Sequence, residues 1–80
     1  MTLLKIRQLL VNAADQMYKA HQFQEAAFLS HENDFESFED YAKYLDYNVF
    51  MYEQSKAAAD KLMEQANAAN LSFTAKMLAA

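Results

Sequence analysis

Not one glycine or proline occurs in this chain of 80 residues. Sheets and hairpins draw on glycine, asparagine and proline for their turns. Within a helix, glycine and proline are the two worst residues. A chain that omits both has given up turn chemistry and nothing that a helix needs. Alanine contributes 15 residues, and Leu, Met, Gln, Glu and Lys fill much of the rest. These are strong helix formers. The expected fold class is all-α.

Eighty residues make one domain, 1–80, and a small one. A chain this short buries a limited share of its surface, so a helical version leans on oligomerisation. Cysteine is absent, which excludes disulfides and thiolate metal sites. In "MTLLKIRQLLVNAADQ" the apolar residues are periodic rather than continuous, unlike those of a secretory signal. No run approaches the roughly 20 apolar residues of a membrane span. A soluble, cytoplasmic protein without a membrane partner is expected.

Residues 3 to 20 read as an amphipathic helix. Leu3, Ile6, Leu10, Ala13, Met17 and Ala20 recur at alternating steps of three and four, the spacing of a core-facing stripe. Leu9 and Ala14 widen it, and Leu4, Val11 and Tyr18 form a second line at seven-residue steps. Apolar groups therefore cover more than half of this helix, which needs at least two neighbours.

Phe23 falls out of phase with that stripe, and a break near His21-Gln22 would bring it back in. The string "NAADQMYKAHQFQEAAFLS", Asn12 to Ser30, resembles the middle of a tetratricopeptide helix pair. In that family the turn is followed by an aromatic and then by "EA", here Phe23 and Glu25-Ala26. The resemblance covers about a quarter of the chain and lacks the family's turn glycine, its closing proline and a second repeat. It implies a helix–turn–helix broken near His21. The alternative is one unbroken helix from 3 to 30.

The clearest connection is "SHENDFES". Asn33, Asp34 and Ser37 are all suited to cap a helix N-terminus, and both Asn33 with Glu36 and Ser37 with Asp40 have capping-box-like spacing, neither being the ideal pair. Glu36, Glu39 and Asp40 follow in the first turns, where the helix dipole favours acids. A long helix is expected over about 35–69. Its stripe is Phe38, Tyr41/Ala42, Leu45, Val49, Tyr52, Ala59, Met63 and Ala66, interrupted by Asn48 and Lys56. Both polar residues are expected to reach solvent, although a polar residue in a helix seam can also fix register. Alanines after Lys56 suit close helix approach. "NAANLS" offers a stop at Asn70 and a new cap at Ser72, so that "FTAKMLAA" forms a short last helix or frays. The expected architecture is a helical hairpin or a small three-to-four-helix bundle, as a homodimer.

The net charge of −4 is uneven. Residues 31 to 55 hold seven acids against one base, Lys43. An acidic middle argues against direct nucleic-acid binding, which depends on Lys and Arg, and permits a basic protein partner. Catalysis is not expected, because no nucleophile stands in a recognisable motif and a phosphate loop needs glycine. No metal or cofactor is expected. His21 with Glu25, and His31 with Glu32 and Asp34, lack diagnostic ligand spacing, and no repeated Glu-x-x-His occurs.

One feature remains, "DFESFEDYAKYLDYNVFMYE". Tyr41 and Tyr52 belong to the core stripe. Tyr44, Tyr47, Phe50 and Met51 form a second apolar face, flanked by Glu39, Asp40, Asp46 and Glu53. These eight residues are the expected partner-binding site, since aromatic residues and methionine concentrate at interface cores while charges steer association. The competing explanation makes the rings a homodimer core and the acids its solvated rim. The expected function is a small acidic regulator or inhibitor that docks on a basic or nucleic-acid-handling protein partner. Such character suits a phage, plasmid or bacterial accessory locus. The alternatives are a DNA mimic that blocks a nucleic-acid-binding protein, and a structural or assembly subunit.

Overall fold

The computed structural model describes residues 2–79, which form two helices joined by a short connection. Helix α1 spans Leu3–Leu29 (27 residues) and helix α2 spans Phe38–Ala79 (42 residues). They pack against each other as one long hairpin measuring 65 × 13 × 13 Å. At about 1.5 Å per residue α2 alone is about 63 Å long, so it runs the whole length of the molecule. Among the described residues there is no third layer. The bundle alternative is thereby corrected to an extended hairpin.

Of the two readings of α1 the unbroken helix holds, and α2 starts at Phe38 rather than about 35 and ends at Ala79 rather than about 69. Helix α1 passes through His21-Gln22 without a break, so the tetratricopeptide-like turn is not formed. With no glycine or proline in the segment, the i to i−4 ladder meets no obstacle there. Helix α2 likewise continues through Asn70 and Ser72 to Ala79. Neither residue outweighs the continued apolar spacing that puts Ala69 and Phe73 on α1.

The helix ends and the connection are built from local hydrogen bonds. Thr2 Oγ1 accepts from the Lys5 N–H at the start of α1 (3.2 Å). Ser30 Oγ donates to the Ala27 carbonyl at its end (2.9 Å). One 3₁₀ turn follows at Glu32–Asp34. Its ends are tied together: the His31 N–H donates to Asp34 Oδ2 (3.2 Å), and the Asp34 N–H donates to the His31 carbonyl (3.0 Å). Ser37 then caps α2, its Oγ accepting from the Asp40 N–H at 3.1 Å. Glu39 and Asp40 lie in the first turn, where the dipole stabilises them. Part of the acidic cluster thus serves the fold.

The seam between the helices is alanine-rich. On α1 it comprises Ile6, Leu9, Ala13, Gln16, Ala20 and Phe23, and on α2 it comprises Asn48, Tyr52, Ser55, Ala59, Leu62, Ala66, Ala69 and Phe73, all buried or half-buried. Both series alternate steps of three and four, the heptad pattern of a coiled coil. Half of the expected α1 stripe is therefore corrected. Ile6, Ala13 and Ala20 face α2, whereas Leu3, Leu10 and Met17 are exposed. Alanine at every seventh position draws the backbones together, and large side chains beside that close approach are pushed outward. Val49 and Met63 are displaced from the α2 stripe for the same reason. Lys56 reaches solvent as expected. Asn48 does not: it is 4% exposed, and its Nδ2 donates to the Tyr44 carbonyl one turn earlier (2.8 Å). That bond is what makes its burial tolerable.

Candidate protein-docking surface

Four aromatic pairs organise the loop end of the hairpin. Phe35 folds from the connection onto α2, its ring 5.4 Å from Tyr41 and 5.1 Å from Tyr44. Phe38 meets Tyr41 at 6.3 Å. Phe23 of α1 meets Tyr47 edge-on, with centroids 6.2 Å apart and planes at 83°. These tilted and edge-to-face arrangements suit the ring quadrupole. They hold the tyrosines in place without covering them: Tyr44 is 37% exposed and Tyr47 57%.

The eight expected site residues divide between two sides of α2. Tyr44 lines a groove with Gln22, Ala26 and Phe35, and Met51 lines a second with Gln16, Lys19 and Gln22. Gln22 belongs to both, so Tyr44 and Met51 share one flank of the hairpin. Asp40 and Tyr47, four residues before Tyr44 and Met51, stand on the same flank by helical spacing. Glu53 lies on the opposite flank, lining a groove of about 260 Å³ with Gln24, Phe28, Val49 and Tyr52. Glu39 and Asp46 precede Glu53 at seven-residue steps and continue its column. Phe50 projects between the flanks, away from α1, and is 57% exposed. The structure thus joins three apolar residues and one acid on one side and gathers the other acids elsewhere.

The acids stand in a row. Glu39, Asp46 and Glu53 extend to Asp60 at the same seven-residue interval, about 10.5 Å per step along the axis. Glu39 is paired with Lys43 (3.2 Å). Both partners are well exposed, and such pairs contribute little. On α1, His21 Nε2 lies 3.2 Å from Glu25 Oε1, also at the surface. Among the described residues no three His, Asp or Glu side chains are grouped as a metal site would require. His31 and Asp34 are engaged in the 3₁₀ turn. No helix among the described residues is long and apolar enough to cross a membrane.

The larger exposed apolar surface lies on α1. Leu3 and Leu4 are 61% and 75% exposed, and Leu10, Val11, Met17 and Tyr18 are exposed as well. The apolar breadth of α1 led to the expectation of at least two neighbours, and among the described residues α1 packs against α2 alone. No family model matches the chain, and no curated protein or solved structure is detectably similar to it.

Proposed function

We propose that the protein is a non-catalytic interaction module, a small acidic regulator that docks on a basic protein partner and also pairs with itself. The observation that carries this reading is the Tyr44–Tyr47–Met51 flank. Its rings are accessible, yet Phe35 and Phe23 restrain them. Restrained aromatics lose little conformational freedom when a partner covers them, which is what an interface anchor needs. Asp40 on this flank, and the acid row round the helix, supply a negative field that would steer a basic partner. A benzophenone amino acid placed at position 47 in cells should give a discrete adduct with a basic protein. Tyr47→Ala should weaken binding of that partner by about tenfold or more, as expected for an anchor residue. An absence of any adduct except that with the chain itself would contradict the reading.

The row Glu39–Asp46–Glu53–Asp60 favours a second reading, a DNA mimic whose carboxylates stand in for phosphates. The row's step is wide and Lys56 interrupts its outline, so this reading ranks second. It is separated by salt. A phosphate-mimicking interface weakens steeply as salt rises, whereas aromatic docking changes little.

A further inference from the structure

The exposed apolar face of α1 has a symmetry that points to its occupant. Three columns of residues at seven-residue steps lie outside the seam, on the side of α1 whose loop end borders the groove with Val49 and Glu53. Two are apolar for most of their length, Leu3-Leu10-Met17 and Leu4-Val11-Tyr18. Between them runs Arg7-Ala14-His21-Phe28. This face carries one permanent base, Arg7, and one acid, Glu25, with His21 bonded to the latter. Of the other charged residues of α1, Lys5 and Lys19 line grooves on the opposite flank, and Asp15 shares their side of the helix by spacing.

Arg7 and Glu25 are 18 residues apart, about 27 Å along the axis, so they do not meet within one chain. They are equidistant from residue 16. So are Leu4 and Phe28, and so are Ala14 and Tyr18. Turned end over end about residue 16, the column Leu4-Val11-Tyr18-Glu25 of one copy faces Phe28-His21-Ala14-Arg7 of the other, the condition for a two-fold interface, and Leu3-Leu10-Met17 falls at the margin against Leu29, Gln22 and Asp15.

Area supports the same occupant. A folded monomer of 9.2 kDa exposes about 4,900 Å² by the usual size scaling. This hairpin exposes 6232 Å², an excess of about 1,300 Å². Stable dimers bury about 800 Å² per partner or more. The excess is larger than what each partner of a standard dimer buries, so it leaves room for a second copy of the same hairpin.

We propose that the outer face of α1 is covered by the same face of a second copy running antiparallel, with Arg7 of each copy against Glu25 of the other. This deepens the interaction reading by assigning its self-association face. It rests on α1 and not on the tyrosine flank of α2, so either assignment can fail alone. A parallel pair would set Arg7 against Arg7 and is disfavoured by charge.

Sedimentation equilibrium on the full chain tests the proposal, with circular dichroism to follow helicity. The wild type should have twice the 9.2 kDa chain mass. Arg7→Glu and Glu25→Arg should each raise the dissociation constant by about tenfold or more, because each sets like charges opposite one another twice. Arg7→Glu/Glu25→Arg should restore the wild-type constant, and restore helicity as well if the single swaps lose it. Tyr47→Ala should leave the mass unchanged. A monomeric wild type, single swaps indistinguishable from wild type, or a double swap no better than the singles would overturn the proposal. A monomeric Tyr47→Ala would overturn it too, by placing the second copy on α2.

Discussion

Ala59 has no exposed surface, and with Ala13, Ala20 and Ala66 it sets how closely the helices approach. The seam's stability lies in that closeness rather than in bulky contacts, since among the described residues no large side chain is fully buried. Ala59→Leu should therefore act by overpacking, which costs about 1–3 kcal/mol, and should lower Tm by roughly 5–20 °C for a chain of this size. Thermal melts of the two proteins check this, and a higher Tm at unchanged mass would show that the seam is loose. Asn48 makes the complementary point. Its amide completes a bond to the preceding turn, so a polar residue occupies a seam position without an orphaned donor. The sequence marks Asn48 as an interruption of a stripe. It does not reveal that the stripe rotates to include Asn48 and Ser55 while releasing Val49 and Met63, because that rotation follows from which small residues the facing helix presents.

At the level of elements, α1 is one unbroken helix, and its continuity has a direct test. Gln22→Pro should cost about 3 kcal/mol or more, since proline removes a ladder bond and clashes with the preceding turn. A helix–turn–helix broken near His21 would accept the same substitution with little loss. Urea titrations of both proteins read the difference. The elements were largely legible. Their helical type followed from the absence of glycine and proline, and the second start was narrowed to the caps Asn33, Asp34 and Ser37, of which Ser37 is the one used. Of the two readings of α1 the unbroken one is formed, and the stop offered at Asn70 is not used. Phe23 looked out of phase against a stripe drawn through Leu10 and Met17, and it falls into phase on the true seam through Leu9 and Gln16. The candidate site was legible as residue types but not as one surface. Tyr44, Tyr47 and Met51 share a flank because they are three and four apart, whereas Asp46 and Glu53, near in sequence, lie round the helix.

The whole molecule is an open form for its length. Its radius of gyration is 18.4 Å, against about 11.6 Å for a compact domain of 80 residues. A lone hairpin with an alanine seam buries little, and α1 presents apolar side chains along much of its outer face. Helicity is therefore expected to depend on association, as in proteins whose folded monomer is not stable alone. The most direct test is to follow mass and helicity together on dilution, by sedimentation and circular dichroism. Both are expected to fall over the same concentration range, as two-chain particles give way to poorly helical single chains. A fully helical chain of 9.2 kDa at the lowest concentration would contradict that expectation and leave the outer face of α1 free in solution.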